Sequence, residues 1–376
     1  MISTSIFSIA SAIKPSTSKD ASSASILSNL GFRYGNILEP ACGTGNFMGL
    51  VPESMKDSKM YGIELDSITG RIAKQLYQNA NISIEGYEDT KLPDSFFDVA
   101  VGNVPFGQFG VLDKRYDKYH FNIHDYFFAK TLDKVRPGGI IAFVTSRFTM
   151  DKANSSVRKY ISERAELLGA IRLPNNTFSE SANTKAVSDI IVLQKRDRPM
   201  VVDEEWLSTE KDNQGNVMNS YFISHPDMIL GNVEKSKNMY GREDLTVTPY
   251  EDVTLKEALD SAIQSIHGHI ENSIINELEV DSNEPDIVSI PANPDVRNYS
   301  YTMVDGDIYF RENSQMVKME LSKTAQNRIT GLIDIRECVR KLIDYQKEDY
   351  PESMIESEQK RLNELYDTFT AQLILI

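Results

Sequence analysis

Four apolar runs separated by helix-length segments set the firmest limit on what this chain can fold into. Asn36-Ile37-Leu38-Glu39, Lys59-Met60-Tyr61-Gly62-Ile63-Glu64, Ile82-Ser83-Ile84-Glu85 and Phe97-Asp98-Val99-Ala100-Val101 each read as a strand. Strands alternating with helices build a parallel sheet covered on both faces, and that burial explains the near-continuous apolar character of the runs. Ligands of such sheets sit at the carboxyl ends of the strands. The residues found at those four ends therefore carry the functional argument.

After the first strand, Ala41-Cys42-Gly43-Thr44-Gly45-Asn46-Phe47 reads as a glycine loop opening a helix. Gly43 and Gly45 admit backbone angles closed to other residues and let a ligand approach the main chain. A dinucleotide fingerprint would be Gly-x-Gly-x-x-Gly, and here Gly49 comes one residue late. Glu64 ends the second strand, where a carboxylate can bind ribose hydroxyls through both oxygens; Asp66 is its substitute if the register slips. Glu88, with Asp89 as the alternative, follows the third strand. The fourth strand delivers Asn103-Val104-Pro105-Phe106. The Asn103 side-chain carbonyl and the Val104 backbone carbonyl can each accept a hydrogen bond from one NH₂ group. Phe106 can stack on the ring that bears it, and Pro105 stiffens the turn. Val104→Pro is expected to be tolerated if the Val104 N–H has no buried partner.

With 376 residues the chain has room for two or three domains. No apolar run approaches a membrane span, and the start at Met1 lacks the charge of a signal peptide. Two cysteines and five histidines, with His267-Gly268-His269 lacking nearby acidic or cysteine partners, argue against a metal site or a disulfide framework. A reducing, cytoplasmic setting fits. The net charge of −15 is unevenly spread. Residues 111–200 hold 16 Lys+Arg against 10 Asp+Glu, whereas residues 201–300 hold 6 against 20. Lys114, Arg115, Lys118 and Tyr119 lie in a basic, aromatic stretch just after Phe106, where they could meet phosphates and support an extruded base.

The remaining segments set the expected domain plan. A helix is expected from about Ala21 to Leu30, and others at 67–79, 123–135 and 154–164, with Pro137-Gly138-Gly139 ending the third. Strands are expected at 140–144, 167–173 and 189–193, closing a domain over 1–199. Residues 200–297 read as an acidic accessory region and linker, with a capping-box helix from Thr254 to about Ile266. Residues 298–376 read as a hairpin around Asp305-Gly306 and an antiparallel helical pair. One stripe holds Leu332, Ile335, Val339 and Leu342; the other holds Ile355, Leu362, Leu365 and Phe369.

The glycine loop after Glu39-Pro40 and the Asn-x-Pro-Phe turn resemble motifs of amino-methyltransferases that use S-adenosylmethionine, with Val104 in place of the usual first proline. More specifically, residues 36–40, 61–66, 98–107 and 168–175 resemble the adenine-N6 DNA methylase region of very large bacterial helicase–methylase proteins carried by mobile elements and phages. The likeness is close over 32–196 and looser through His225-Pro226 and residues 301–307 to the last helices. It implies an α/β class I methyltransferase fold, a Rossmann-like doubly wound sheet, followed by a small α+β region and a C-terminal helical pair. It also implies S-adenosylmethionine as cofactor, with Glu39 at its ammonium and Ala41, Cys42, Gly43, Gly45, Asn46 and Phe47 around it. Glu64 would meet its ribose, Leu65 would lie in the same cofactor site, Glu88 or Asp89 would meet its adenine amine, and Tyr87 would pack on the ring. The catalytic group would be Asn103, Val104, Pro105 and Phe106, and the partners DNA and a helicase segment or separate helicase chain. Related methylases place a Thr-Pro element ahead of the first strand, and the stretch from Pro15 to Ser25 has no clear match. Two other readings remain open on sequence: a protein-glutamine methyltransferase, and a relict cofactor fold that binds DNA or a partner.

Overall fold

The computed structural model describes residues 25–51, 55–178, 186–237, 243–271, 289–348 and 350–374. β1 (Asn36–Glu39), β2 (Lys59–Glu64), β3 (Asn81–Ile84), β4 (Phe97–Asn103), β5 (Val135–Ser146), β6 (Ala165–Leu173) and β7 (Ser188–Lys195) form one sheet, ordered β3-β2-β1-β4-β5-β7-β6. The first five strands are parallel, and β7 runs antiparallel to both β5 and β6. This is the expected class I methyltransferase sheet. The chain winds outward from β1 to β3, then resumes on the other side at β4. The carboxyl ends of β1 and β4 therefore flank the point where the winding reverses, the usual ligand crevice of such sheets. Val99, Ala100, Val101, Ile141, Phe143 and Val192 are fully or almost fully buried along the central strands.

The helices on this sheet start and stop for local reasons. α1 (Ile26–Asn29) is the part of the first expected helix that lies within the described residues; the unmatched Thr-Pro region up to residue 24 lies outside them. α2 (Ser67–Leu76) is capped by Asp66, whose carboxylate accepts from the Ile68 and Thr69 N–H groups. The glycine loop does not open an α-helix as expected; it is followed by a single 3₁₀ turn, Met48–Leu50. Gly49 and Pro52 interrupt any run of helix formers there. α3 (Ile123–Lys134) ends three residues before Pro137, so Pro137-Gly138-Gly139 does not terminate it. Those residues lie inside β5 as an irregularity. Phe97 pairs with Val135 but Val99 pairs with Ile140, so β5 carries three extra residues. A Cβ on Gly139 would stand 2.6 Å from the Asp98 carbonyl oxygen, which is why glycine occupies it.

Beyond β5 come α4 (Phe148–Asp151) and α5 (Ser156–Ser162), and beyond β7 a hairpin of β8 (Thr209–Lys211) and β9 (Val217–Asn219) with α6 (Ser220–Ser224). A two-stranded ribbon, β10 (Asn232–Lys237) and β11 (Glu243–Thr248), precedes α7 (Leu255–Gln264). α7 has the capping box expected at Thr254 and Glu257. The segment after residue 199, set apart by composition, packs on the sheet. The Arg158 guanidinium donates to the Leu207 carbonyl, Ala170 N–H to the Tyr221 hydroxyl, and Leu230 N–H to the Arg172 carbonyl. Residues up to Ile275 accordingly form one compact unit.

The second unit, Asn276–Ile376, has its own sheet and helical pair. β12 (Ser289–Pro291), β13 (Tyr301–Val304), β14 (Asp307–Glu312) and β15 (Gln315–Lys318) pair antiparallel in the order β12-β15-β14-β13. The hairpin turn is the expected Asp305-Gly306, with both residues at positive φ (51° and 90°) as a tight primed turn requires. The linker reading fails at 289–291, which pairs with β15; residues 272–288 lie outside the described residues. Pro291 is accommodated because β12 is an edge strand. α8 (Lys323–Lys347) and α9 (Glu352–Ile374) are the expected pair, but Leu332 is 54% exposed and the buried side chains of α8 are Ile333 and Cys338. No helix among the described residues is long and apolar enough to cross a membrane.

Candidate active site

The glycine loop and the end of β2 are joined through one carboxylate. Gly43 N–H donates to Glu64 Oε2 at 2.7 Å, and Asp66 N–H donates to Oε1 at 2.8 Å. Asp66 uses its own carboxylate to cap α2, and those N–H donors hold it below the usual carboxylate range. It is therefore not the substitute for Glu64. Gly43 and Gly45 both take left-handed backbone angles (φ 54° and 86°). A Cβ on Gly43 would meet nothing within 4 Å, so the loop backbone faces open space there. A Cβ on Gly45 would stand 2.3 Å from the Tyr77 ring.

Glu39 is 1% exposed at the end of β1. On the neighbouring β4, Gly102 has φ 149°, and a Cβ there would stand 3.6 Å from Glu39 Cγ. The next residue, Asn103, ends β4 and is exposed. The structure thus brings together Glu39, the loop from Ala41 to Asn46, Glu64 and Asn103 on one sheet edge. Val104 is buried, and its N–H donates to the Val144 carbonyl at 3.1 Å. That bond removes the condition under which Val104→Pro would be harmless. Pro105 is half-buried, and Phe106 is 39% exposed. Sequence reasoning passed over Phe109. Its ring lies where a Cβ on Gly107 would stand, 2.4 Å away, and it is 58% exposed beside the same turn. The signal was available as a second aromatic three residues after Phe106.

Other expected contacts fall elsewhere. The Cys42 thiol and the Phe47 ring are buried, Cys42 beneath Gly62, so both can serve a ligand only through their backbone. Tyr87 does not face the crevice. It is buried against Phe127 and Tyr126, and its hydroxyl pairs with that of Thr131 at 3.0 Å. Glu88 folds back over Gly86, whereas Asp89 is exposed. Leu65 is 74% exposed beside Glu64.

The basic stretch is also placed differently from its reading. Arg115 forms ion pairs of 2.8 Å with Asp94, which precedes β4, and with Asp133, near the end of α3. Both carboxylates lie at the end of the sheet opposite Asn103. Lys118 stands over the Tyr119 ring, which stacks on Phe121. Lys114 is exposed. Lys130, Lys134, Arg136, Arg147 and Arg172 are also held in ion pairs within the fold.

The donor set at the crevice suits a cationic ligand with a ribose. Burial pushes the Cys42 thiol up to about 12, and the negative fields of Glu39 and Glu64 add to the rise. The same two fields favour a sulfonium and an ammonium. The open space above Gly43 and the exposed Leu65 offer a backbone approach and an apolar wall.

The chain is 32% identical over 205 residues to the defense against restriction protein B of Escherichia phage P1, covering 53% of this chain and 9% of that protein. It is 30% identical over 115 residues to the modification methylase CviBIII of Paramecium bursaria Chlorella virus NC1A, covering 29% of this chain and 30% of that one. The alignments thus span less than a third of either relative. Among solved structures, it is similar to a modification subunit of a putative type I restriction enzyme from Vibrio vulnificus YJ016, with TM-score 0.37 and 16% identity, covering 57% of this chain and 54% of that one. The N-6 DNA Methylase family matches residues 23–243, more than half of the 376, and the chain belongs to that family.

Proposed function

We propose that this chain transfers the methyl group of S-adenosylmethionine to the exocyclic N6 amine of adenine in DNA. The observation that carries the reading is the adjacency of Asn103, exposed at the end of β4, to the buried Glu39 and the glycine loop at the end of β1. Bound there, S-adenosylmethionine supplies an electrophilic methyl group. Glu39 would hold its ammonium, Glu64 its ribose hydroxyls, and Leu65 with Glu88 or Asp89 its adenine. The Asn103 side-chain carbonyl and the Val104 carbonyl would each accept from the target amine and aim its lone pair. Phe106 would stack on the extruded base. No strong base is needed before attack, and alignment of this kind supplies on the order of 7–11 kcal/mol. A low-polarity surround strengthens the hold of the two carbonyls.

The ion pairs of Arg115 with Asp94 and Asp133 take it out of the set of cations that could meet phosphates. Membership of the N-6 DNA Methylase family, and relatives named as a modification methylase and a type II methyltransferase, support DNA. The test is to supply S-adenosylmethionine with either DNA or glutamine-containing peptides and to analyse the products by mass spectrometry. N6-methyladenine is the expected product; methylated glutamine alone would replace the reading.

A further inference from the structure

A ribbon absent from the sequence reading crosses the carboxyl edge of the sheet. Its inner strand, β11, is fixed at two places. Asn175 donates through its N–H to the Val247 carbonyl and through Nδ2 to Thr246 Oγ1, both at 2.8 Å. Nearer the tip, Asp244 forms an ion pair with Arg147. Asn175 lies two residues beyond the end of β6, and Arg147 directly follows β5.

Because β7 separates β5 from β6, those two anchors are two strand spacings apart, about 10 Å. Val247 to Asp244 is three residues of strand, again about 10 Å. The agreement means that β11 runs across the edge from β6 to β5. The next strand in line is β4, which ends at Asn103. The anchor itself is firm: Asp151 binds Arg147 at 3.0 Å and also Arg172 at 2.9 Å, and Arg172 binds the buried Asp189.

The outer strand is presented to solvent. Asn232, Glu234, Lys235 and Ser236 of β10 are exposed. Side chains alternate across a ribbon, so Asp244 and Thr246, with their cross-strand partners Ser236 and Glu234, face the sheet edge, while Lys235 and Leu245 lie on the opposite face, which is buried at Val247 and exposed at Lys235.

We propose that the β10–β11 ribbon contacts the DNA duplex beside the extruded adenine and positions it over Asn103. This role rests on the methylation reading above. A two-stranded ribbon has the width that the major groove admits, and among the described residues β10 pairs with no strand but β11. Lys235, on the face turned away from the sheet edge, would meet a phosphate.

Both native cysteines are buried, so one introduced thiol can report on the ribbon. The full chain carrying Lys235→Cys is labelled with a photo-crosslinker and mixed with a mixed-sequence, adenine-containing duplex. Glu166→Cys, at the start of β6 on the opposite edge and 59% exposed, is the control. DNA crosslinks are expected from position 235 and not from 166. In a second measurement Lys235→Ala should lower the salt slope of DNA binding by about 1, with S-adenosylmethionine affinity unchanged. If the parent methylates DNA but crosslinks come equally from 166, or not from 235, the ribbon is excluded and the methylation reading stands. If the parent methylates no DNA, both fall.

Discussion

Glu64 holds Gly43 in place: its Oε2 accepts the Gly43 N–H at 2.7 Å while Oε1 accepts that of Asp66. One side chain therefore fixes the glycine loop after β1 to the end of β2. Glu64→Ala should weaken S-adenosylmethionine binding by about 1.5–3 kcal/mol, the worth of a hydrogen bond to a charged group. Glu64→Gln should not restore it, because an amide has one acceptor oxygen and turns an NH₂ toward the second N–H. Calorimetric titration checks this, and parental affinity in both variants would contradict it.

Gly43 and Gly45 look equivalent in sequence but stand in different surroundings. Gly43→Ala meets only the left-handed backbone penalty, about 1–2 kcal/mol. Gly45→Ala should cost a further 1–3 kcal/mol or so, since the new methyl collides with the Tyr77 ring. Adding Tyr77→Ala to Gly45→Ala should recover the steric part, giving a clear coupling in a double-mutant cycle. Denaturant unfolding of the four variants would show it; equal losses for the two glycines would refute the contact.

Lys195 gives the fold a pH dependence at alkaline pH. Burial pushes its pKa down to about 8, although Nζ donates to the Val135 carbonyl at 2.6 Å. In the unfolded chain the value is about 10.4. Between these two values the unfolded chain keeps a proton that the folded chain has released, so stability rises with pH across the window. Below pH 8 both states are protonated and the full penalty stands. Lys195→Met should therefore be more stable than the parent near pH 7, by up to about 3 kcal/mol. That advantage should shrink to nothing by about pH 10.5. A difference that stays constant from pH 7 to 10.5 would contradict the burial argument.

The strands were legible because a doubly wound sheet writes itself as apolar runs, and β1, β2 and β4 fall where those runs lie. The glycine loop, the strand-end Glu64 and the Asn103 turn were legible for the same reason: each is local. What escaped was long-range. Pro137-Gly138-Gly139 has the composition of a helix stop, yet here it is an irregularity inside a strand, set by pairing with Phe97 and Val99. Arg115 looked free for phosphate because Asp94 and Asp133 are 21 and 18 residues away in sequence, yet both reach it. The β10–β11 ribbon is polar and weakly patterned, and its position depends on Asn175 and Arg147, neither of which marks it in sequence.

The central claim is that Asn103 aligns the target amine while the cofactor is held by the loops before it. The direct measurement is tritiated methyl transfer to DNA by the parent and Asn103→Ala, with S-adenosylmethionine binding followed in parallel. Asn103→Ala should lose transfer and keep near-parental cofactor affinity, since Glu39, Gly43 and Glu64 are untouched. Parental transfer by Asn103→Ala would contradict the account.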